Sequence, residues 1–344
     1  MAITMKDIAK DLGVSVVTVS KVLRNHSEVG AETRKRVQQR MKELNYRPNP
    51  AARALHTGHT NLIGLIVPDL VDPFFSQVTS GILTKLKVTN YGLIISSSKH
   101  DLQLEKREID RMVACRVEVL ILASPQSDLK SFLRLEDQNV PYILLSRKLS
   151  ELQANSVGAD DVAAGIQATS HLIDAGCKTV AHIAGPELDS ALDRQRGYSM
   201  TLAKHGRTLP PEYLVGPGNI DGFGDAAGYA GMKRLLQLNP RPDGVFCCND
   251  AIAIGAMRAI FEASLKIPED IALVGCGNSH YNDVLRVPLT SIDQDSHGLG
   301  ATAAKLALSI ISNKSQASNT TLMLKSRLVV RASSLRSAGP RSSS

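Results

Sequence analysis

Two units of different texture are predicted: a small all-α module at the N-terminus and a large α/β body of two lobes, each a doubly wound parallel sheet. Three observations carry this. With 344 residues, 43% of them hydrophobic, the chain is longer than one usual domain and can bury more than one core. Apolar residues recur at helical spacing as far as residue 45, and from residue 62 the pattern becomes continuous apolar runs alternating with amphipathic stretches. Charge divides at the same place: residues 1–61 hold eleven Lys and Arg against five Asp and Glu, a net of +6, leaving +1 of the total +7 to the other 283 residues.

Residues 4–45 read as three short helices. Thr4 can cap the first while Asp7 reciprocates at capping-box spacing, and Ile8, Ala9 and Leu12 form its inner face. Gly13 permits the tight turn, Val14 points inward and Ser15 caps the second helix, which starts at Val16 and turns Val19, Val22 and Leu23 to the core. The third follows Val29-Gly30, with Val37, Met41 and Leu44 at helical spacing. The prolines of YRPNPAARALHTGHTN, 46–61, forbid a continuous helix and leave a linker with a latent helix at 51–56.

Candidate strands in the body are 62–67, 91–96, 118–123, 141–146, 179–184, 244–248, 271–275 and 328–332. Unbroken apolar strands indicate sheets covered by helices on both faces, and their division into two series near residue 160 favours two lobes over one very wide sheet. Ligands of such a body bind at strand carboxyl ends, between the lobes. The Ser-rich segment 333–344 predicts an end without fixed structure and contains no leucine heptad for a coiled coil.

Several classes are excluded by pattern. The five cysteines, Cys115, Cys177, Cys247, Cys248 and Cys276, show no CxxC or Cys/His ligand spacing, so no metal and no disulfide framework is expected and a reduced cytosol is the natural setting. There is no apolar leader and no uninterrupted apolar span of about 20 residues, which predicts neither export nor a membrane partner. Phosphate-loop, dinucleotide, nucleophile-elbow and HExxH motifs are absent, and none of the nine histidines sits at metal or triad spacing; His171 and His182 read as structural or surface residues. No cofactor and no enzymatic activity are expected.

Segment MKDIAKDLGVSVVTVSKVLRN, 5–25, has the form of a helix-turn-helix. Val16, Val17 and Lys21 would face outward on the second helix, where valine methyls can meet thymine methyls and a lysine can donate to guanine acceptors. An ordinary helical hairpin is the alternative, and the basic excess beside the motif favours DNA.

The chain resembles the lac-repressor family from Met5 to about Ser333. The resemblance is carried in order and spacing by DIAKDLGVSVVTVSKVL, YRPNPAARAL, IGLIVPDLVDPFF, HLIDAGCKTVAHIAGP, RQRGY, NDAIAIGAMRAI, IPEDIALVG and PLTSIDQ. It implies a helix-turn-helix DNA-binding domain at 1–48, a hinge helix and linker at 49–61, and a periplasmic-binding-protein-like, effector-binding and dimerisation domain at 62–335, followed by a disordered tail at 336–344. Within that domain the N-lobe is expected over 62–160 and 293–320, and the C-lobe over 161–290 and 322–335. Also implied are a homodimer on palindromic operator DNA, a nucleoid-associated cytoplasmic repressor, and a small-molecule effector such as a sugar or sugar phosphate.

Under the same resemblance the DNA-contacting residues are Thr4, Ser15, Val16, Val17, Thr18, Ser20, Lys21, Asn25, His26, Arg53 and Leu55, with Leu55 entering the minor groove as a wedge; helix packing is its alternative. The effector set maps onto Asp69, Phe74, Phe75, Arg147, Asp160, Arg194, Phe223, Asn249, Asn278 and Gln294. Arg194 would clamp the ligand and Phe223 stack on its ring, while a surface ion pair is the alternative for Arg194. One departure stands out: Gly277 occupies the place of a family aspartate, with Asn278 or His280 as candidate substitutes, and less negative charge opposing Arg194 would favour an acidic effector. A periplasmic binding protein would share the body but needs an export signal in place of the basic module.

Overall fold

The computed structural model describes the chain except residues 1–2, 24–25, 47–53, 55–57, 124–128, 147–153, 187, 209, 217–223, 313–318 and 337–344. Two compact units result, Met1–Thr60 and Asn61–Ser344. The expected hinge helix and the tail beyond residue 336 lie outside the described residues.

In the first unit α1 (Met5–Leu12), α2 (Val16–Leu23) and α3 (Ala31–Glu43) close on Ile8, Ala9, Val19, Val22 and Val37. Both halves of the capping box form, with Asp7 N–H donating to Thr4 Oγ1 at 3.4 Å and Thr4 N–H to Asp7 Oδ2 at 2.8 Å. Gly13 takes φ 66°, which frees the chain to turn into α2. Leu23, expected in the core, is the last residue of α2 and stays half-buried at its rim.

The second unit holds two six-stranded sheets. The first comprises β1 (Leu62–Val67), β2 (Gly92–Ser97), β3 (Val119–Leu122), β4 (Tyr142–Leu145), β5 (Asn155–Ala159) and β11 (Thr321–Leu324), ordered β11-β5-β4-β3-β1-β2 and wholly parallel. Its helices are α4 (Pro73–Leu86), α5 (Leu102–Ala114), α6 (Leu129–Asp137) and α11 (Ser296–Ser312). The second sheet comprises β6 (Val180–Ile183), β7 (Leu214–Val215), β8 (Gly244–Cys247), β9 (Ala272–Cys276), β10 (Thr290–Asp293) and β12 (Arg327–Val329), ordered β12-β10-β9-β8-β6-β7, with β12 antiparallel to β10. Around it lie α7 (Asp161–Asp174), α8 (Asp189–Lys204), α9 (Gly224–Leu235) and α10 (Asp250–Glu262).

The apolar strands follow from this layering. Along β1, Ile63, Leu65 and Val67 enter the core beneath α4 and α11, while Ile66 enters the core on the other face, with Ile109 of α5 and Phe132 of α6. Side chains alternate across a strand, so a strand covered on both sides is apolar throughout. In the second sheet Ala181, Ile183 and Cys247 lie on one side, Val180, Phe246 and Cys276 on the other. Burial pushes the Cys177 thiol up to about 11 and raises those of Cys247, Cys248 and Cys276, so these four pack as small apolar groups.

The chain passes between lobes three times: after β5, after β10, and between Leu324 of β11 and Arg327 of β12. The last crossing corrects the expected start of the C-lobe return at 322, because β11 pairs with β5 through Leu324↔Ala159. Residues 333–336 correct the expectation for the tail. Ser333 and Ser334 are buried, Ser333 Oγ donating to the Leu273 carbonyl at 2.7 Å, and Arg336 bonds Asp243 at 3.1 Å. Their hydroxyls, polar in composition, fill hydrogen-bonding places inside the second lobe.

Candidate functional site

A cleft of about 220 Å³ opens between the lobes of the second unit, at the carboxyl ends of the parallel strands. Pro68 follows β1, Ser146 follows β4, Cys248 and Asn249 follow β8, and Gln294 follows β10. One wall begins at α4, whose N-cap Asp72 accepts from Phe74 N–H at 2.9 Å and whose first turn carries Pro73. That cap aims Phe74 and Phe75 into the cleft, edge to face with centroids 5.0 Å apart.

Arg194 forms the opposite floor. It projects from α8, which packs so closely on α7 that a Cβ on Gly165 would stand 2.1 Å from the Arg194 carbonyl oxygen, and one on Gly197 2.2 Å from that of Val162. Only glycine permits the approach. The guanidinium is buried: Nε donates to Asp161 Oδ1 at 2.8 Å, Nη1 to the Cys248 carbonyl at 2.7 Å, and Nη2 to Gln294 Oε1 at 3.2 Å. Gln294 Nε2 in turn donates to Asp161 Oδ1 at 2.8 Å. Nη1 also stands 3.9 Å from Cys248 Sγ, so Nε, Nη1 and Nη2 are all engaged by the protein while Arg194 lines the cleft.

Asp250, at the start of α10, is also buried. Its carboxylate accepts from Ser279 N–H at 2.7 Å, Asn282 Nδ2 at 2.9 Å and Ser291 Oγ at 2.6 Å, while burial pushes its pKa up. Burial likewise raises Asp72, with Asp69 and Asp250 adding negative potential. Among the described lining residues Arg194 is the one Lys or Arg, and Asp161 already offsets its charge. Asp72 and Asp250 thus bring carboxylates to the cleft where Gly277 brings none. Gly277 lines the cleft at φ 128°, and a Cβ there would stand 3.4 Å from Asp250 Oδ2, so an added carboxylate would press on one already present.

Of the effector residues expected from sequence, Phe74, Phe75, Arg194, Asn249 and Gln294 line the cleft. Asn249 Oδ1 also caps α10 through Ile252 N–H at 2.9 Å. Three others have different work. Asp69 bonds Val71 N–H within its own turn, exposed Asp160 caps α7 through Ala163 N–H, and Asn278 accepts from Arg331 at 2.9 Å away from the cleft. His280, the other candidate for the missing aspartate, is not among the lining residues; its ring meets Tyr281 at a tilt of 41° with centroids 3.7 Å apart. Arg147 and Phe223 lie outside the described residues. Asp250, expected beside Asn249 at the cleft edge, does line it, whereas the sequence reading passed over Asp72, Asp161, Ser279 and Tyr281, although Asp72 is signalled by its place before Pro73 at a helix start.

In the first unit Val17 is 61% exposed and Val16 37% exposed at the start of α2. Ser15 Oγ accepts from Thr18 N–H at 3.0 Å and shares a 2.8 Å hydrogen bond with Thr18 Oγ1; Ser20 is half-buried. The Thr4 hydroxyl is engaged by Asp7. Lys21 Nζ lies 2.5 Å from Glu28 Oε2, and exposed His26 holds the turn that follows. Asn25, Arg53 and Leu55 lie outside the described residues. Among the described residues no three His, Cys, Asp or Glu group as metal ligands, and no helix is long and apolar enough to cross a membrane.

Comparison with known proteins covers both units. Residues 4–49 match the family described as bacterial regulatory proteins, lacI family, and residues 169–334 match the periplasmic binding protein-like domain. Over 334 residues the chain is 31% identical to the HTH-type transcriptional repressor CytR of Escherichia coli (strain K12), covering 96% of each chain. With the HTH-type transcriptional repressor PurR of Pasteurella multocida (strain Pm70) it shares 32% over 317 residues, covering 91% of this chain and 93% of that one. Among solved structures the lac repressor dimer bound to operator and the anti-inducer ONPF superposes with TM-score 0.86 at 28% identity, covering 98% of this chain and all of that one (100%). A helix-turn-helix unit, a two-lobed cleft and relatives of this similarity along nearly the whole length make the chain a transcriptional regulator of the lacI family.

Proposed function

We propose that the protein is a cytoplasmic, dimeric repressor, without enzymatic activity, whose affinity for a palindromic operator is set by a small molecule held between the two lobes. The observation that carries this is the cleft itself: it lies at strand carboxyl ends beside three chain crossings, so a ligand touching both walls has different contacts in open and closed forms. The lac repressor seen with operator and anti-inducer is a dimer, which supports the same assembly here. DNA is read by the exposed face of α2, with residues 49–61 as the hinge and Leu55 as the groove wedge. The effector is an uncharged, hydroxyl-bearing molecule with one apolar face. Phe74 and Phe75 meet that face, Asp72 accepts from its hydroxyls, and Arg194 and Asn249, which line the cleft, meet its oxygens.

The test is a thermal-shift screen of the full chain against pentoses, hexoses, nucleosides and their phosphates. A ligand that binds only the folded state raises the melting temperature, by about 2.7 kcal/mol of stabilisation at a hundredfold excess over Kd. Neutral compounds are expected among the hits and their phosphates are not. Turnover of a hit, or hits confined to phosphates, contradicts the proposal.

A further inference from the structure

Glu28 lies in the turn between α2 and α3, and its carboxylate takes the ammonium of Lys21 at 2.5 Å. The turn is fixed in place. Arg34 of α3 donates from Nη2 to the His26 carbonyl at 2.6 Å, His26 N–H donates to the Lys21 carbonyl at 3.0 Å, and Val29 packs against the three-helix core. His26 Nδ1 stands 3.9 Å from the same carboxylate oxygen. Lys21, one helical turn beyond exposed Val17, is thus already paired, and its partner Glu28 is exposed beside it.

A lysine engaged in this way has its charge already partly met by Glu28, and turning its ammonium toward a base edge or a phosphate weakens that pair. On any duplex that exchange leaves Glu28 facing a dense row of negative phosphates. A sequence placing guanine O6 and N7 under Lys21, or a cytosine amino group under Glu28, supplies new partners for the separated charges. Other sequences do not. We propose that Glu28 is a specificity-determining positioning residue: it competes with DNA for Lys21 and so weakens binding to duplexes that lack the matching base pair. This rests on the reading of α2 as the base-reading helix.

The experiment uses the full chain and two duplexes of equal length: one selected by the wild-type protein from a random library, and one that the selection rejects. Affinity for each is measured for wild type, Glu28→Gln, Lys21→Gln and the double variant. The effect expected of Glu28→Gln is the range of an exposed ion pair: the rejected duplex binds roughly two- to fivefold tighter. The selected duplex should gain less, so that the ratio of affinities falls. In the Lys21→Gln background the same substitution should leave that ratio unchanged. If Glu28→Gln changes both duplexes by one factor, or alters the ratio equally in both backgrounds, Glu28 acts only as a nearby negative charge and the proposal is wrong. A wild-type protein that selects no sequence overturns the DNA-reading assignment beneath it, and this is seen before any variant is compared.

Discussion

Removing the guanidinium of Arg194 would leave Asp161 buried without its cation and Gln294 without one of its partners. Breaking a buried pair from one side costs about 3–5 kcal/mol. Arg194→Ala is therefore expected to lower the free energy of unfolding by that amount as well as to damage the cleft; a urea midpoint unchanged from wild type would contradict the pairing. The sequence pointed to Arg194 through a resemblance. Nothing in spacing alone distinguishes Asp161, which faces the guanidinium, from Asp160, which caps the same helix and faces out, because only the turn into α7 separates them. His182 gives a pH signature. It is fully buried between Tyr198 and Phe246, shares a 2.8 Å hydrogen bond with the Phe246 carbonyl, and is pushed down to about 4 by burial. The unfolded chain, with an ordinary histidine near 6.5, takes the proton first. Stability is thus full above pH 6.5 and is lost as pH falls toward 4, by up to about 3 kcal/mol. His182→Gln should flatten this dependence in urea titrations at pH 7 and pH 5; an unaltered slope would exclude His182 as its source.

Elements built on long apolar runs were readable because both faces of each sheet are covered. The first strand was expected at 62–67 and stands at Leu62–Val67, and the third, expected at 118–123, at Val119–Leu122. Two of those missed, β5 and β10, carry polar residues inside. In β5 Asn155 accepts from Thr320 N–H at 3.1 Å and Ser156 bonds Thr321 Oγ1 at 3.1 Å, and in β10 Ser291 donates to Asp250. Hydrogen bonding offsets the cost of burying such side chains, and a hydropathy pattern cannot see the partner. The close pairing of α7 and α8 was equally hidden, since it depends on Gly165 and Gly197 meeting across 32 residues. Gly197→Ala should cost about 2–3 kcal/mol through overpacking at the Val162 carbonyl, read as a lowered Tm. An unshifted Tm would show that the helices separate freely. In the linker, Leu55→Ala should reduce operator bending and affinity while leaving effector affinity unchanged; normal bending would remove the wedge.

At the scale of the whole molecule, the basic first unit and the two-lobed second unit divide the work of reading DNA and sensing a small molecule. The division of charge and the change of texture near residue 61 were both visible in the sequence. The ligand was less so, since Asp72 and Asp250, far apart in sequence, meet at one cleft only through the fold, and Asp161 reaches it only through its pairing with Arg194. The central claim is that cleft and operator are coupled, and coupling between two binding sites is reciprocal. The direct measurement is therefore a four-way titration of the full chain with the effector found by thermal shift and the selected duplex: operator affinity with and without effector, and effector affinity with and without operator. A change by one common factor in both directions is predicted, and a tenfold factor corresponds to a coupling of about 1.4 kcal/mol. An effector that binds the cleft yet leaves operator affinity unchanged would contradict the account.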